Sequence, residues 1–193
     1  MTMADRGTLS VTPDSDDADG WLRFVAETRA LVGDRDPLAL MAAAPSRVEH
    51  ALIGASSEQL RAPESAQQWS MAQVLAHLAD VEMAWGIRLR QILTVTDYVM
   101  DGFDQADWAA RLPYATWDAG ESLSLFIMQR RRNLTVWRSL SDAEWQREAR
   151  HTHRPGGESL RSIAQLIAGH DLRHDAQLAR IRRTLGIQPS PVE

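Results

Sequence analysis

The 193-residue chain has no cysteine and no lysine; all 21 of its basic side chains are arginine. Those two absences exclude cysteine nucleophiles, thiolate zinc sites, Schiff-base lysines and Walker-type phosphate loops. Any thiol chemistry would have to come from a cofactor. Basic charge is also in short supply: the net charge is −5, and the single basic run, Arg130–Arg132, is too short to change that. A generic nucleic-acid or anionic-membrane surface is therefore not expected. The acidic stretch Met1–Gly20 contains no apolar core of signal-peptide length, and no apolar run approaches membrane-spanning length. The expectation is a cytoplasmic protein that acts on a small molecule. Strand-like alternation and internal repeats are missing as well, which leaves helical periodicity as the organising signal.

What remains is 44% hydrophobic and 24% charged, the balance of one globular domain. The reading divides the chain into a flexible acidic tail over residues 1–20, a single domain over 21–187 and a short tail over 188–193. A short amphipathic helix over Trp21–Val32 is stopped by Gly33. Asp36-Pro37 caps another short turn. Pro45 is expected to begin a further helix, Pro45–Ile53, because proline is unfavourable deep inside one. After a linker over Ala55–Trp69, Ser70 and Gln73 form a capping box. They open a long helix to about Leu93, with Val74, Leu75, Leu78, Val81, Trp85, Leu89 and Ile92 on its apolar stripe. An irregular crossing over Thr94–Thr116 holds a short helix from Asp104 to before Pro113. Asp118 and Glu121 start the next long helix, to about Leu140, with Arg130 in its buried stripe. Ser141 and Glu144 cap a short turn. The last helix spans Ser159–Gly186. The sum is an all-α fold, most simply an antiparallel four-helix bundle with additional short helices. The long link between its second and third main helices suggests a crossover.

The last helix carries the chemistry. Leu160, Ile163, Ile167, His170, His174, Leu178, Ile181 and Leu185 share one face, which sets two imidazoles four residues apart in an aliphatic seam. Unpartnered imidazoles there would be costly, and a shared divalent metal is one remedy. Hydrogen bonds to carbonyls, or to Asp171 and Asp175, are the ordinary alternative. His77, at the flank of the second main helix's stripe, is a third histidine able to turn inward, as ligands on facing helices of a bundle do. Three imidazoles with a fourth position left open form a catalytic-type site. Asp80, Glu82, Asp171 and Asp175 lie beside them in sequence and could orient the rings, although helix-surface positions explain them equally well. Arg130, His153 and Asp171 are the candidates for catalytic roles: Arg130 for an anionic substrate group, His153 for proton transfer from the loop before the last helix. Arg130 could as well be an ion-paired stripe residue, and His151 and His153 ordinary exposed loop residues. His50 reads as surface. A di-iron carboxylate site would need Glu-x-x-His motifs on two helices, and the sequence holds that spacing only once, at Glu148 and His151 in the stretch before the last helix, so that reading fails.

The segments WSMAQVLAHLADVE, FDQADWAARLPY and SLRSIAQLIAGHDLRHDAQLARI, in that order, resemble the DinB-like superfamily over about Pro37 to Ile187. The resemblance implies a four-helix bundle holding a metal on three histidines, which match His77, His170 and His174. It also implies zinc, nickel, iron or manganese as the ion, and a homodimer. Some members resemble bacillithiol- or mycothiol-dependent transferases. The leading expectation is a metal-dependent enzyme that activates a low-molecular-weight thiol or a water, thiol S-transferase-like or hydrolase-like. The alternatives are a non-catalytic metal-binding stress-response protein and a helical interaction protein. Imidazole suits several first-row ions, so the residues alone do not choose the metal.

Overall fold

The computed structural model describes residues 18–66, 68–102, 105–152 and 154–188. The sequence contains strong start signals, and the helices obey them. Asp36 accepts from the Leu38 N–H and Pro37 occupies the first turn of α2 (Pro37–Leu52). Reciprocal Ser70–Gln73 bonds open α4 (Met71–Thr94). Asp118 caps α6 (Ala119–Trp137), and Ser159 caps α8 (Leu160–Thr184). Shorter helices complete the set: α1 (Ala18–Ala30), α3 (Ser57–Arg61), α5 (Gln105–Arg111) and α7 (Asp142–Trp145). The tail expected over residues 1–20 lies outside the described residues up to 17, and residues 18–20 already belong to α1. Most of the 188–193 tail, and the expected helix start at Asp104, also lie outside them.

Helix α2 runs through Pro45, contrary to the expectation of a break. Proline supplies no N–H to the carbonyl four residues earlier, so the Met41 oxygen loses its helical donor. The Arg130 Nη1 donates to that oxygen at 3.0 Å instead. The compensation comes from a residue on another helix, out of reach of local sequence rules. Helix α3 falls inside the expected linker over Ala55–Trp69; Ser56 and Gln59 give it a capping box of its own.

Four long helices form the bundle. Helix α4 packs chiefly on α6, and α2 chiefly on α8, with α2 also against α6 and α4 against α8. The contacts fix the directions. Val74, Leu75 and Leu78 share one apolar cluster with Phe126, while Leu89 and Ile92 share another with Leu134 and Trp137. Helices α4 and α6 therefore run parallel, and the segment joining them crosses back along the bundle. Arg47 pairs with Asp175 and Arg182 with the Ala51 carbonyl, so α2 and α8 also run parallel. The bundle is thus antiparallel between its two layers and parallel within each. The expected crossover follows from that arrangement.

Small strands close one end: β1 (Val99–Met100), β2 (Glu148–His151) and β3 (Arg154–Ser159), in spatial order β1-β2-β3. β1 pairs parallel to β2 through Val99↔Arg150, and β2 antiparallel to β3 through Glu148↔Ser159, with an irregularity at Arg150/His151. These strands correct the reading of no strand. They are too short and polar to show alternation; Met100 and Ala149 alone turn inward from β1 and β2 to the core.

Helix α1 lies across α8, where Phe24 and Val25 cover Leu166. Gly169 permits that approach: a Cβ there would stand 2.0 Å from the Thr28 carbonyl oxygen. Among the described residues, no helix is long and apolar enough to cross a membrane.

Candidate metal centre

The two apolar clusters do not merge. Between them lies a polar layer, because each main helix changes character at mid-length. On α8, His170, Asp171 and His174 separate Ile167 from Leu178; on α6, Arg130 separates Phe126 from Leu134. Helix α4 contributes His77 and Glu82.

His77, His170 and His174 meet in this layer, each offering a ring nitrogen within 4.8 Å of those of the other two. The Nε2 of His170 is 3.2 Å from that of His77 and 3.1 Å from that of His174. His77 and His174 are fully buried and His170 is 8% exposed. Burial holds all three imidazoles below their ordinary pKa. For His170, burial and then the charges of Arg130 and Arg173 push it down to about 3. All three rings are therefore neutral near pH 7, the protonation state that a metal requires. His174 donates through Nδ1 to the Gln177 Oε1 at 2.8 Å, which leaves its Nε2 lone pair facing the other two rings. Nitrogens about 2.0–2.1 Å from a tetrahedral ion stand roughly 3.3 Å apart, so the observed spacings fit such an ion. The donor set suits a first-row divalent metal.

The carboxylates beside the histidines are placed elsewhere. Asp171 uses both oxygens on Arg130, with Nη1–Oδ2 at 2.5 Å and Nη2–Oδ1 at 3.0 Å. Glu82 accepts from Arg130 Nε at 2.9 Å and from Asn133 Nδ2 at 2.8 Å. Asp80 accepts from the Tyr114 hydroxyl at 2.6 Å, and Asp175 from Arg47 at 2.5 Å. None of these four bonds an imidazole. Gln177, three residues past His174, has that role; an uncharged residue on the same face gave no signal of its own in the sequence.

Arg130 is 2% exposed and fully engaged, with two carboxylates and the Met41 carbonyl as partners. Burial opposes its charge, but the two carboxylates outweigh burial and raise its pKa. Both Arg130 and Asp171 are thus placed to hold helices together, and the first has no donor left for an anionic substrate. His153 lies outside the described residues, His151 ends β2 and His50 is exposed. Trp69, just before α4, packs its ring 4.9 Å from that of His77.

A family model described as the DinB superfamily matches residues 40–178. A protein of Geobacillus kaustophilus (strain HTA426) is 29% identical over 142 residues, which span 74% of this chain and 80% of that protein. YfiT of Bacillus subtilis (strain 168) is 26% identical over 142 residues, spanning 74% and 80%. Both bear a provisional name, metal-dependent hydrolase. The solved structure of Bacillus subtilis YfiT, described as an unusual four-helix bundle, superposes with a TM-score of 0.73 at 24% identity. That superposition covers 79% of this chain and 87% of the other.

Proposed function

This chain belongs to the DinB superfamily, and on that premise we propose that it is a metal-dependent hydrolase whose divalent ion is held by His77, His170 and His174. The observation that carries the reading is the convergence of three neutral imidazole Nε2 atoms at 3.1 and 3.2 Å inside the bundle. The names of the relatives point to the same class of reaction.

A divalent ion on three imidazoles supplies Lewis-acid polarisation to water or a substrate oxygen. The chain's own residues prepare for that chemistry. Gln177 fixes the His174 tautomer, so that the Nδ1 proton points away from the cluster and a lone pair toward it. Arg130 and Arg173 disfavour protonation of His170, after burial itself. Apolar clusters lie on either side of the three rings, which are themselves buried.

The test is elemental analysis of protein purified without a histidine tag, followed by hydrolysis of a panel of esters and amides. About one metal per chain is expected, with metal and turnover both lost in His170→Ala/His174→Ala. A metal-free protein that refuses zinc, nickel and manganese would overturn the proposal. Turnover that appears only when bacillithiol or mycothiol is added would place the same ligand set in thiol transfer.

A further inference from the structure

A pocket of about 530 Å³ opens beside α4, α5 and the segment leading to α6. Its floor includes Asp80, which follows His77 by three residues on α4. Residues at that spacing have Cβ atoms about 5–6 Å apart on one helix face. The walls are apolar and aromatic, made by Trp108, Leu112, Trp117 and Met83. At the rim, Asp107 and Arg111 stand 3.9 Å apart as an exposed pair, so their charges largely offset each other.

Asp80 is the unusual member. It is 9% exposed, and its Oδ2 accepts from the Tyr114 hydroxyl at 2.6 Å. Its Oδ1 has no protein partner among the described residues. The Tyr114 ring in turn supports Trp117, with centroids 5.1 Å apart. One buried tyrosine thus fixes both the polar floor and an aromatic wall. Burial raises the Asp80 pKa above its ordinary value and the Tyr114 bond opposes that rise. A carboxylate accepts from N–H donors and repels anions.

We infer that this pocket binds the substrate's apolar portion and that Asp80 Oδ1 accepts a hydrogen bond from an N–H beside it. The favoured class is a small aromatic or branched-apolar amide or amine, in preference to a phosphate or carboxylate. The assignment of these contacts to a substrate rests on the hydrolase reading, whereas binding itself is measurable without turnover.

The experiment compares benzamide with N,N-dimethylbenzamide on the protein as purified, by saturation-transfer NMR and by shifts of the tryptophan indole signals. The two probes share ring and carbonyl, so any contact with a metal is common to both. Benzamide is expected to bind at least fivefold tighter. Asp80→Ala should reduce the preference to under twofold, and Asp80→Asn should reduce it in part should the alanine variant not fold. Trp117→Ala should weaken both probes alike. Equal affinities in the wild type, no binding of either probe, or a preference untouched in Asp80→Asn would each overturn the inference. Metal analysis of the same samples separates the two ideas. Metal present with no preference refutes the pocket assignment alone; a preference kept in metal-free His170→Ala protein supports the pocket without the metal.

Discussion

Replacing Arg130 by methionine should be among the most damaging single changes available in this bundle. Arg130 is 2% exposed, and its guanidinium lies against Glu82, Asp171 and the Met41 carbonyl. Methionine roughly fills the aliphatic volume, so cavity formation is a minor part of the effect. Electrostatics dominate. Removing one partner of a buried ion pair costs about 3–5 kcal/mol, because the remaining charge is left uncompensated. The Met41 carbonyl, already without a helical donor because of Pro45, loses its substitute as well, at about 1–3 kcal/mol. These effects share one network and do not simply add, so a loss of about 4–6 kcal/mol is reasonable. Against a typical domain stability of about 5–15 kcal/mol, that leaves little. At roughly 2–4 °C per kcal/mol for a chain of this size, Tm should fall by about 10–20 °C. Urea denaturation should show a lower midpoint at constant slope. Arg130→Met combined with Glu82→Leu and Asp171→Leu should recover a large part of the loss, since apolar replacement of a whole buried ionic group is often neutral or favourable. A loss below about 1 kcal/mol in the single variant, or no recovery in the triple, would refute this account. Reduced turnover with unchanged stability would instead return Arg130 to a role in substrate binding.

Gly169→Ala gains about 1 kcal/mol of helix propensity, yet its Cβ would fall 2.0 Å from the Thr28 carbonyl oxygen. Overpacking of about 1–3 kcal/mol should win, with a lower Tm and faster proteolysis of α1; a raised Tm would contradict the close approach. Gln177→Leu removes the acceptor on His174 Nδ1. Metal affinity, read by competition with a chelator, should fall by about 10–100-fold while the far-UV circular dichroism spectrum is unchanged; unchanged affinity would refute the tautomer argument. In chelator-treated protein, the three imidazoles make stability depend on pH. The unfolded chain takes up their protons near pH 6.5, while burial, above all, keeps them deprotonated in the fold, His170 down to about 3. Their contribution is therefore complete above pH 6.5 and lost as pH falls from 6.5 toward 3. The urea midpoint should be steady from pH 7 to 8.5 and decline from 7 to 4.5; a midpoint that holds down to pH 4.5 would show that the rings are not buried neutral.

The amino-acid sequence determined the features that depend on neighbours along the chain. Caps at Asp36, Ser70, Asp118 and Ser159 set the helix starts, because a side-chain oxygen two or three residues away is enough to satisfy the first free N–H groups. Spacing of four residues put His170 and His174 on one face, and stripe position turned His77 inward. The family was legible in the same segments, and the residues of the cluster with them. Tertiary structure decided everything that depends on a partner from elsewhere. Pro45 remains within α2 only because Arg130, from α6, reaches Met41. Whether Asp80, Glu82, Asp171 or Gln177 faces an imidazole depends on helix rotation to within a fraction of a turn, and only Gln177 does. The parallel pairing of α4 with α6 and of α2 with α8 is likewise invisible in periodicity, which specifies a buried face but not the helix that covers it. Arg130 is the clearest case: a charge in an apolar stripe announced an unusual role, and its two buried carboxylate partners, not its own sequence position, decided that the role was to hold the bundle together.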